Sequence, residues 1–294
     1  MTERKVDTLI VGAGITGLSA ALAMGGDVLI LEKETEPGGY CRSFRHGDWL
    51  WDCAGHFFHF RSDEMRQLFL RSLGPENVVE KRKCAGILYH GARIDAPFQT
   101  HLHQLPKEEL LDCLYDLVFR EEKEHYDSFL AMLHGRYGRS VTEKFLRPYN
   151  EKLYACDLGT LDAGAMGRFF PQADLSGILA AWKQEQPEGY NSRFLYPKLG
   201  AGSFTDALYG RLDPSRVLLG RTLVSLEPQR HVAVDSAGQS YRYRRLINTS
   251  PLDRFLPLLG EGGKAAARRL SCNKVLVLNL GFEKKSPFRR EHWL

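Results

Sequence analysis

The sequence predicts an α/β protein, in which a parallel-stranded domain is interrupted by a mainly helical insertion with a few short strands. Three observations predict it. Val6 to Val11 is a short apolar run rich in β-branched residues, as in a strand buried on both faces, and it leads straight into Gly12, Gly14 and Gly17 at the spacing G-x-G-x-x-G. Val28 to Leu31 is a second apolar run and ends in an acid, Glu32. From about residue 85 to 205 the apolar spacing becomes mostly helical, and short strands resume near Val217.

Each piece of the first run has a physical role. Gly12 permits a tight turn out of the strand, Gly14 has no Cβ to keep a pyrophosphate away, and Gly17 lets the next helix pack closely on the sheet. That helix, Leu18 to Met24, aims amide N–H groups and its positive dipole end at the turn, and Ile15 and Thr16 belong to the same phosphate-facing segment. Glu32, 20 residues after Gly12, can accept both ribose hydroxyls of an adenosine and disfavours a 2′-phosphate; Lys33 is counted beside it in the cofactor-binding set. A second glycine pair follows in Glu36-Pro37-Gly38-Gly39-Tyr40-Cys41-Arg42-Ser43. Gly38 and Gly39 free the backbone to wrap a ligand, while Arg42 and Ser43 can reach phosphate oxygens.

These residues resemble the paired signatures of the flavin amine oxidase and protoporphyrinogen oxidase superfamily, where Gly-Gly-x-x-x-Ser follows the ribose-binding acid. The resemblance implies FAD, held non-covalently in a Rossmann-like, glutathione-reductase-like domain. Asp52-Cys53-Ala54-Gly55-His56-Phe57-Phe58 resembles the Gly-Gly-His segment of the UDP-galactopyranose mutase branch, with Ala54 in place of the first glycine. That implies a loop beside the isoalloxazine ring, with Gly55 binding the cofactor and His56 the candidate catalytic residue that tunes the ring or relays a proton. By the same resemblance the backbone around Val224 pairs with adenine.

Further along, Asp63 to Leu73 reads as a helix and Gly86 to Ile94 as a hairpin around His90-Gly91. Asp95 to His101 is expected to be extended, because Pro97 opposes a helix there. Pro106 to Leu133 is an amphipathic helical stretch broken near Phe119-Arg120, with Glu121 to Glu124 as its solvated face, and Val141 to Leu153 continues helical with a kink at Pro148. Gly202 to Leu212 is a helix leading back to the first domain. A meander is expected from Val217–Leu219 with Leu223–Leu226, His231–Asp235 and Tyr241–Tyr243, and Arg245 to Asn248 is a return strand. Lys274 to Phe282 reads as one more strand, back in the insertion. The expected division is therefore 1–84 and 206–270 for the FAD domain, 85–205 for the insertion, and 271–294 for the start of a returning strand.

Three segments of the insertion are similar to the eukaryotic-like mutase branch. Pro97-Phe98-Gln99 is similar to a Tyr-Pro-Phe-Gln motif of the uridine pocket, with Ala96 replacing the tyrosine; Tyr149-Asn150-Glu151-Lys152-Leu153-Tyr154 resembles Tyr-Asn-x-Lys-Val-Trp; and Asn191 to Gly202 resembles an asparagine-led strand and glycine-rich turn. The resemblance implies substrate contacts from Phe98, Gln99, Asn150, Lys152, Tyr154 and Asn191, with Arg168 as a diphosphate clamp by charge. Taken singly, Phe98 reads equally as core, and Asn150 and Lys152 as helix cap and solvated face. The implied chemistry is attack of reduced flavin N5 on a sugar nucleotide's anomeric carbon, without net redox. The rivals are hydride transfer from an amine, porphyrinogen or polyene to FAD, and a non-catalytic FAD-binding or partner-dependent protein. Relatives continue into a Gly-Asp strand and helix that complete the flavin site, and no such motif follows here. The expectation is a shortened chain, or one completed by a partner chain or a second copy, with weak or absent FAD in isolation.

Composition narrows the classes. The chain has 294 residues, 43% of them hydrophobic, enough for two packed domains. Its net charge of +4 comes without a polybasic block, so a small-molecule substrate is expected and nucleic acid is not. Cys41, Cys53, Cys84, Cys113, Cys156 and Cys272 are scattered without a Cys-x-x-Cys pair, which predicts free thiols in a reducing, cytoplasmic setting and no metal site. The charged stub Thr2 to Lys5 leads directly into a core strand, so no secretory leader is expected, and no apolar run approaches the roughly 20 residues of a membrane span.

Overall fold

The computed structural model describes residues 3–167, 175–183 and 192–294. The chain divides into two compact units, Met1–Lys81 with Arg193–Glu283 and Arg82–Ser192 with Lys284–Leu294. In chain order the first unit supplies strand β1 (Arg4–Val11), helix α1 (Ile15–Met24), β2 (Val28–Leu31), the hairpin β3 (Ser43–His46) and β4 (Trp49–Asp52), helix α2 (Asp63–Leu73) and β5 (Val78–Arg82). The second unit holds the hairpin β6 (Gly86–Tyr89) and β7 (Ala92–Asp95), helix α3 (Lys107–Val118), α4 (Phe129–Val141), a π-helical turn at Thr142–Leu146, α5 (Arg147–Tyr154) and α6 (Leu175–Lys183). The chain then returns to the first unit as β8 (Arg193–Pro197), α7 (Gly202–Tyr209), β9 (Val217–Leu218), β10 (Leu223–Glu227), β11 (Val232–Asp235), β12 (Ser240–Asn248), α8 (Leu252–Phe255) and α9 (Glu261–Ala267).

The first unit is built on a six-stranded sheet in the order β10-β11-β12-β1-β2-β9. β12, β1, β2 and β9 run parallel, whereas β10, β11 and β12 form an antiparallel meander. Alternation along β1 and β2 explains why both read as uniformly apolar. Ile10, Val28 and Ile30 face a layer with Leu18, Phe69, Phe204 and Leu208, while Leu9, Val11, Leu29 and Leu31 face a layer with Leu226, Ala233 and Tyr241. Two expected details differ. Val217–Leu218 pairs parallel with β2 and lies outside the meander, and Tyr241–Tyr243 and Arg245–Asn248 belong to one continuous strand, β12. That strand pairs with β11 through its first half and with β1 along nearly its whole length, so one strand does the work expected of two.

The meander is closed by a buried carboxylate. Asp235, 1% exposed, accepts from Tyr241 Oη at 2.7 Å, Arg221 Nη1 at 3.0 Å, Ala237 N at 2.9 Å and Gln239 N at 3.0 Å. Ionised carboxylates accept several such bonds at once, so the charge is satisfied where it is buried.

The second unit has its own core, in which Ile94, Phe98, Leu102, Cys113, Phe129, Leu133, Tyr137, Val141 and Leu158 are buried together. The helical stretch breaks after α3, close to Phe119-Arg120 as expected. Asp95 to His101 does not stay extended: a 3-10 turn forms at Phe98–Thr100, immediately after Pro97, with Thr100 N donating to the Pro97 carbonyl at 3.2 Å. Proline forbids only its own N–H bond and restrains the residue before it, which leaves the following residues free to turn. The chain end is tied here by Arg93–Glu291 at 2.6 Å and by His292 N on the Cys84 carbonyl at 2.8 Å.

Two boundary expectations change. Residues 193–205, expected in the insertion, lie in the first unit because β8 pairs with β5 and Ala201 and Gly202 are hydrogen-bonded to the β3–β4 hairpin. Lys274 to Phe282, expected as a strand of the insertion, has no strand pairing among the described residues, and residues 274–282 lie in the first unit's C-terminal stretch. Val275, Leu276, Leu278 and Phe282 are 78, 84, 72 and 72% exposed. A β-branched run becomes a strand only when another strand satisfies its backbone, and none is beside it.

All six cysteines are free. Burial pushes the Cys113 thiol up to about 12, and burial, then Asp52 and Cys53, raise that of Cys41. The thiolate is the nucleophile, so iodoacetamide at pH 8 is expected to modify exposed Cys272 first and buried Cys113 last in the native protein. Peptide mass spectrometry of a quenched time course checks the order.

Candidate functional site

The site grows from the C-terminal end of β1. Gly12 has φ +102, its N–H donates to the Leu31 carbonyl at 2.8 Å, and a Cβ there would meet Thr249 Oγ1 at 2.7 Å. Thr249, just past β12, donates its hydroxyl to the Val11 carbonyl at 2.8 Å and so fastens the turn from the neighbouring strand. A Cβ at Gly17 would lie 1.9 Å from the Gly12 carbonyl oxygen, which makes this glycine a requirement of the turn's own packing. Gly14 differs: a Cβ there would meet only the Cα of Gly39, at 3.9 Å. The protein leaves that space open. α1 begins at Ile15, three residues earlier than the sequence expectation, and its N-cap Gly14 offers no side chain to the amides of Ile15, Thr16 and Gly17. Uncapped first-turn amides at a helix N-terminus suit a phosphate.

The second glycine pair is brought to the first. Gly38 N donates to the Ala13 carbonyl at 2.8 Å, and Gly14 and Gly38 form an isolated parallel bridge. Gly38 has φ +108 and a Cβ on it would strike Thr205 Oγ1 at 2.8 Å, so this arm is wedged against α7. Arg42 donates through Nε to the Gly39 carbonyl at 3.0 Å, closing the arm on itself and leaving its terminal guanidinium nitrogens unbonded among the described residues.

Glu32 is 6% exposed; its carboxylate accepts from Ala13 N at 2.6 Å and Glu34 N at 2.9 Å, which leaves lone pairs for a ligand. Its backbone holds the segment leading to β10, with Arg221 N on the Glu32 carbonyl at 2.7 Å and Glu32 N on the Leu218 carbonyl at 2.9 Å. Val224 follows at a register shift between Leu223 and Ser225, on the edge strand β10, and is 49% exposed. A bulged residue leaves the ladder, so its backbone groups are available to a ligand. Lys33 points away from this set and pairs with Glu34 at 3.1 Å on the surface.

Ser43 is engaged within the protein. Its hydroxyl donates to Asp52 and accepts from Gly202 N at 2.8 Å. Gly55 is exposed, and His56 is half-buried with its Nδ1 shielded from solvent and without a hydrogen-bond partner in the protein. The loop carrying them is pinned downstream, where Phe58 and Leu195 exchange backbone bonds of 3.2 and 2.9 Å and Phe57 stacks on Phe194 at 4.2 Å.

The expected substrate residues separate into three groups. Phe98 and Gln99 are 1 and 2% exposed, inside the second unit's core. Phe98 is thus no open face for a base: it stacks on Phe145 at 4.6 Å, and Phe145 in turn stacks on Tyr149 at 5.3 Å. Asn150 is 1% exposed, donates to the Leu146 carbonyl at 2.6 Å and has a buried, unpartnered Oδ1. Tyr154 is half-buried, edge-on to Phe129 at 6.0 Å. Lys152 is exposed. Arg168 and Asn191 lie outside the described residues. Three residues without an assigned role in the sequence reading emerge here. Tyr149, 45% exposed, is the open end of the aromatic stack and shares a face of α5 with Lys152, three residues on. Asp52 and Tyr196 are the other two, with Tyr196 Oη donating to Asp52 Oδ2 at 2.6 Å. The i, i+4 pair Phe145 and Tyr149 was the signal available for the first; nothing local signals the last two.

The glycine turn, the uncapped helix end, the Glu32 carboxylate and the bulge at Val224 fit the adenosine diphosphate half of a dinucleotide. The pattern of the family described as flavin containing amine oxidoreductase matches residues 15–292. The chain belongs to this flavin-containing amine oxidoreductase family. A flavin is therefore the cofactor type this fold serves. Among solved structures, the chain resembles a reduced UDP-galactopyranose mutase with a TM-score of 0.82 and 23% identity, over 90% of this chain and 61% of that one. It also resembles a candidate protoporphyrinogen oxidase from Exiguobacterium (TM-score 0.63, 22% identity, 88% and 62% covered) and a redesigned putrescine oxidase (TM-score 0.59, 15% identity, 92% and 65% covered). The chain thus spans about three fifths of the length of these proteins, and the likeness establishes the fold they share. Among the described residues no helix is long and apolar enough to cross a membrane, and no cluster of three or more His, Cys, Asp or Glu is placed to hold a metal.

Proposed function

We propose that this chain binds FAD and carries most of a flavoenzyme that acts on a sugar nucleotide, in the manner of UDP-galactopyranose mutase. The observation that carries the substrate reading is the exposed face of α5, where the open ring of Tyr149 and the ammonium of Lys152 stand one helical turn apart. A ring of this kind can stack on a base and a nearby ammonium can meet a diphosphate, the two halves of a nucleoside diphosphate. On the cofactor side, Glu32 takes the ribose, the Ile15–Gly17 amides and the Gly38-Gly39 arm take the pyrophosphate, and the backbone at Val224 takes the adenine. When bound and reduced, the flavin supplies a nucleophilic nitrogen for the sugar's anomeric carbon. This chain's own residues bind and orient, with His56, whose buried Nδ1 has no partner in the protein, tuning the ring or relaying a proton.

Two titrations of the purified protein test this. FAD is expected to bind the isolated chain weakly, with quenching of its fluorescence as it saturates. UDP is expected to bind in the parent and about tenfold more weakly after Tyr149→Ala, a loss near 1.4 kcal/mol and within the range of a base–aromatic stack. FAD bound without any UDP affinity would remove the sugar-nucleotide reading; flavin reduction by an amine would then favour an oxidase. No affinity for FAD at any concentration would remove the cofactor reading itself.

A further inference from the structure

The loop that carries His56 is held at both ends by consecutive residues of one strand. Its downstream end is pinned by Phe58 to the backbone of Leu195, and its upstream end by Asp52 to the hydroxyl of Tyr196. Asp52 does more than make that one bond. Its Oδ2 accepts from Tyr196 at 2.6 Å, and its Oδ1 accepts from Ala201 N at 3.0 Å and from Ser43 Oγ. Ser43 Oγ in turn accepts from Gly202 N at 2.8 Å. One carboxylate therefore joins β3, β4, β8 and the turn into α7, where a negative charge also meets the favourable end of the helix dipole. The fit is close: a Cβ on Gly202 would lie 2.6 Å from Ser43 N, and one on Gly200 would strike the Ser43 hydroxyl at 2.4 Å. Thr205, one turn along α7 from Gly202, is the residue against which Gly38 of the second glycine arm is wedged.

We propose that Asp52 is a positioning residue for the flavin site: it fixes the span of the 53–57 loop along β8, and through α7 the seat of the Gly38-Gly39 arm, so that His56 and the arm are set before the cofactor arrives. The inference rests on the flavin reading above. Its physical content is pre-organisation, since a loop fixed in advance loses less conformational freedom when a ligand binds.

Asp52→Asn, Tyr196→Phe and Gly202→Ala test it, each compared with the parent by native-state hydrogen exchange and by FAD and AMP titration. Asp52→Asn is expected to speed exchange at least tenfold in segments 38–43, 53–57 and 200–202 while leaving the Gly12–Gly17 turn unchanged. It is expected to raise the FAD Kd at least tenfold and to spare AMP, which needs only the Glu32 and Val224 end. A general loss of structure would weaken both ligands together, so that pattern counts against a positioning role. Tyr196→Phe frees only the upstream loop anchor and is expected to loosen 53–57 alone with a smaller loss of FAD, which keeps the test open if Asp52→Asn fails to fold. Gly202→Ala is expected to reproduce the Asp52→Asn pattern. Unchanged exchange in 53–57 in both Asp52→Asn and Tyr196→Phe, or parental FAD affinity in a folded Asp52→Asn protein, overturns the proposal. If the parent binds no FAD, the flavin reading fails, while the exchange pattern still decides whether Asp52 holds the loop.

Discussion

Gly14→Ala is expected to fold as the parent does and to lose FAD, whereas Gly17→Ala, three residues away, is expected to damage the fold itself. The two glycines look alike in a motif, but their surroundings differ. At Gly17 an added Cβ would sit 1.9 Å from the Gly12 carbonyl oxygen and 3.1 Å from its carbon, both backbone atoms that cannot swing aside. Relief requires α1 to move off the turn, and overpacking of this kind costs about 1–3 kcal/mol or more. At Gly14 the backbone is ordinary for any residue, with φ −74, and the nearest protein atom to an added Cβ is 3.9 Å away. The space that Cβ would fill is the space the Gly38-Gly39 arm borders. Melting temperatures are expected to separate the variants, with Gly14→Ala within about 3 °C of the parent, since alanine is a poorer N-cap than glycine by up to about 1 kcal/mol, partly offset by the freedom it removes from the unfolded chain. The FAD Kd of Gly14→Ala is expected to rise about a hundredfold, near 2.7 kcal/mol. Parental FAD affinity in Gly14→Ala would mean that no pyrophosphate approaches this turn.

Asp235→Ala is expected to cost about 3–5 kcal/mol, the range for removing one partner of a buried, hydrogen-bonded charge. The variant strands the Tyr241 hydroxyl, the Arg221 guanidinium and two backbone N–H groups around a carboxylate-sized void. Tyr241 is 0% exposed, so its hydroxyl has no water to turn to. The shift in urea midpoint at constant slope measures the loss. A pH dependence accompanies it. Burial alone pushes the Asp235 carboxyl up, but bonds from Tyr241, from the Gln239 and Ala237 amides and from Arg221 outweigh it and hold the group below the ordinary carboxylate range. A group depressed in the folded state stabilises it above its unfolded value, near 3.9, and that contribution disappears as pH falls through the folded value. The parent is therefore expected to lose stability on acidification below about pH 4, and Asp235→Asn to show a shallower loss over the same window. Parallel curves for the two proteins would show that Asp235 is not the group responsible.

Much of the first unit was legible because its determinants are local. A buried parallel strand must be apolar on both faces, a pyrophosphate turn must lack Cβ atoms, and a ribose acid must end the second strand; each requirement is written in neighbouring residues from Val6 to Glu32. The break after α3 and the β6–β7 hairpin were legible for the same reason. Phe98 was not. A Pro-Phe-Gln string says nothing about which ring packs on which, and only the fold stacks Phe98 on Phe145 and leaves Tyr149 as the open face. Ser43 shows the same limit: its hydroxyl suits a phosphate, but the partner that claims it, Asp52, is set by hairpin register, and Gly202 arrives from 159 residues away. Lys274 to Phe282 fails in the other direction, since strand propensity is a demand for a partner and the sequence does not say where the partner is.

The sequence by itself determined the first strand, the glycine turn, the helix start and the terminal acid, and with them the flavin-containing family, because these features rest on backbone geometry that short-range residue choice dictates. Only the tertiary structure decided how the flavin-facing part is held. That depends on Asp52 meeting Tyr196, Ala201 and Ser43, and on Gly38 meeting Thr205, contacts between segments far apart in the chain that no local pattern encodes.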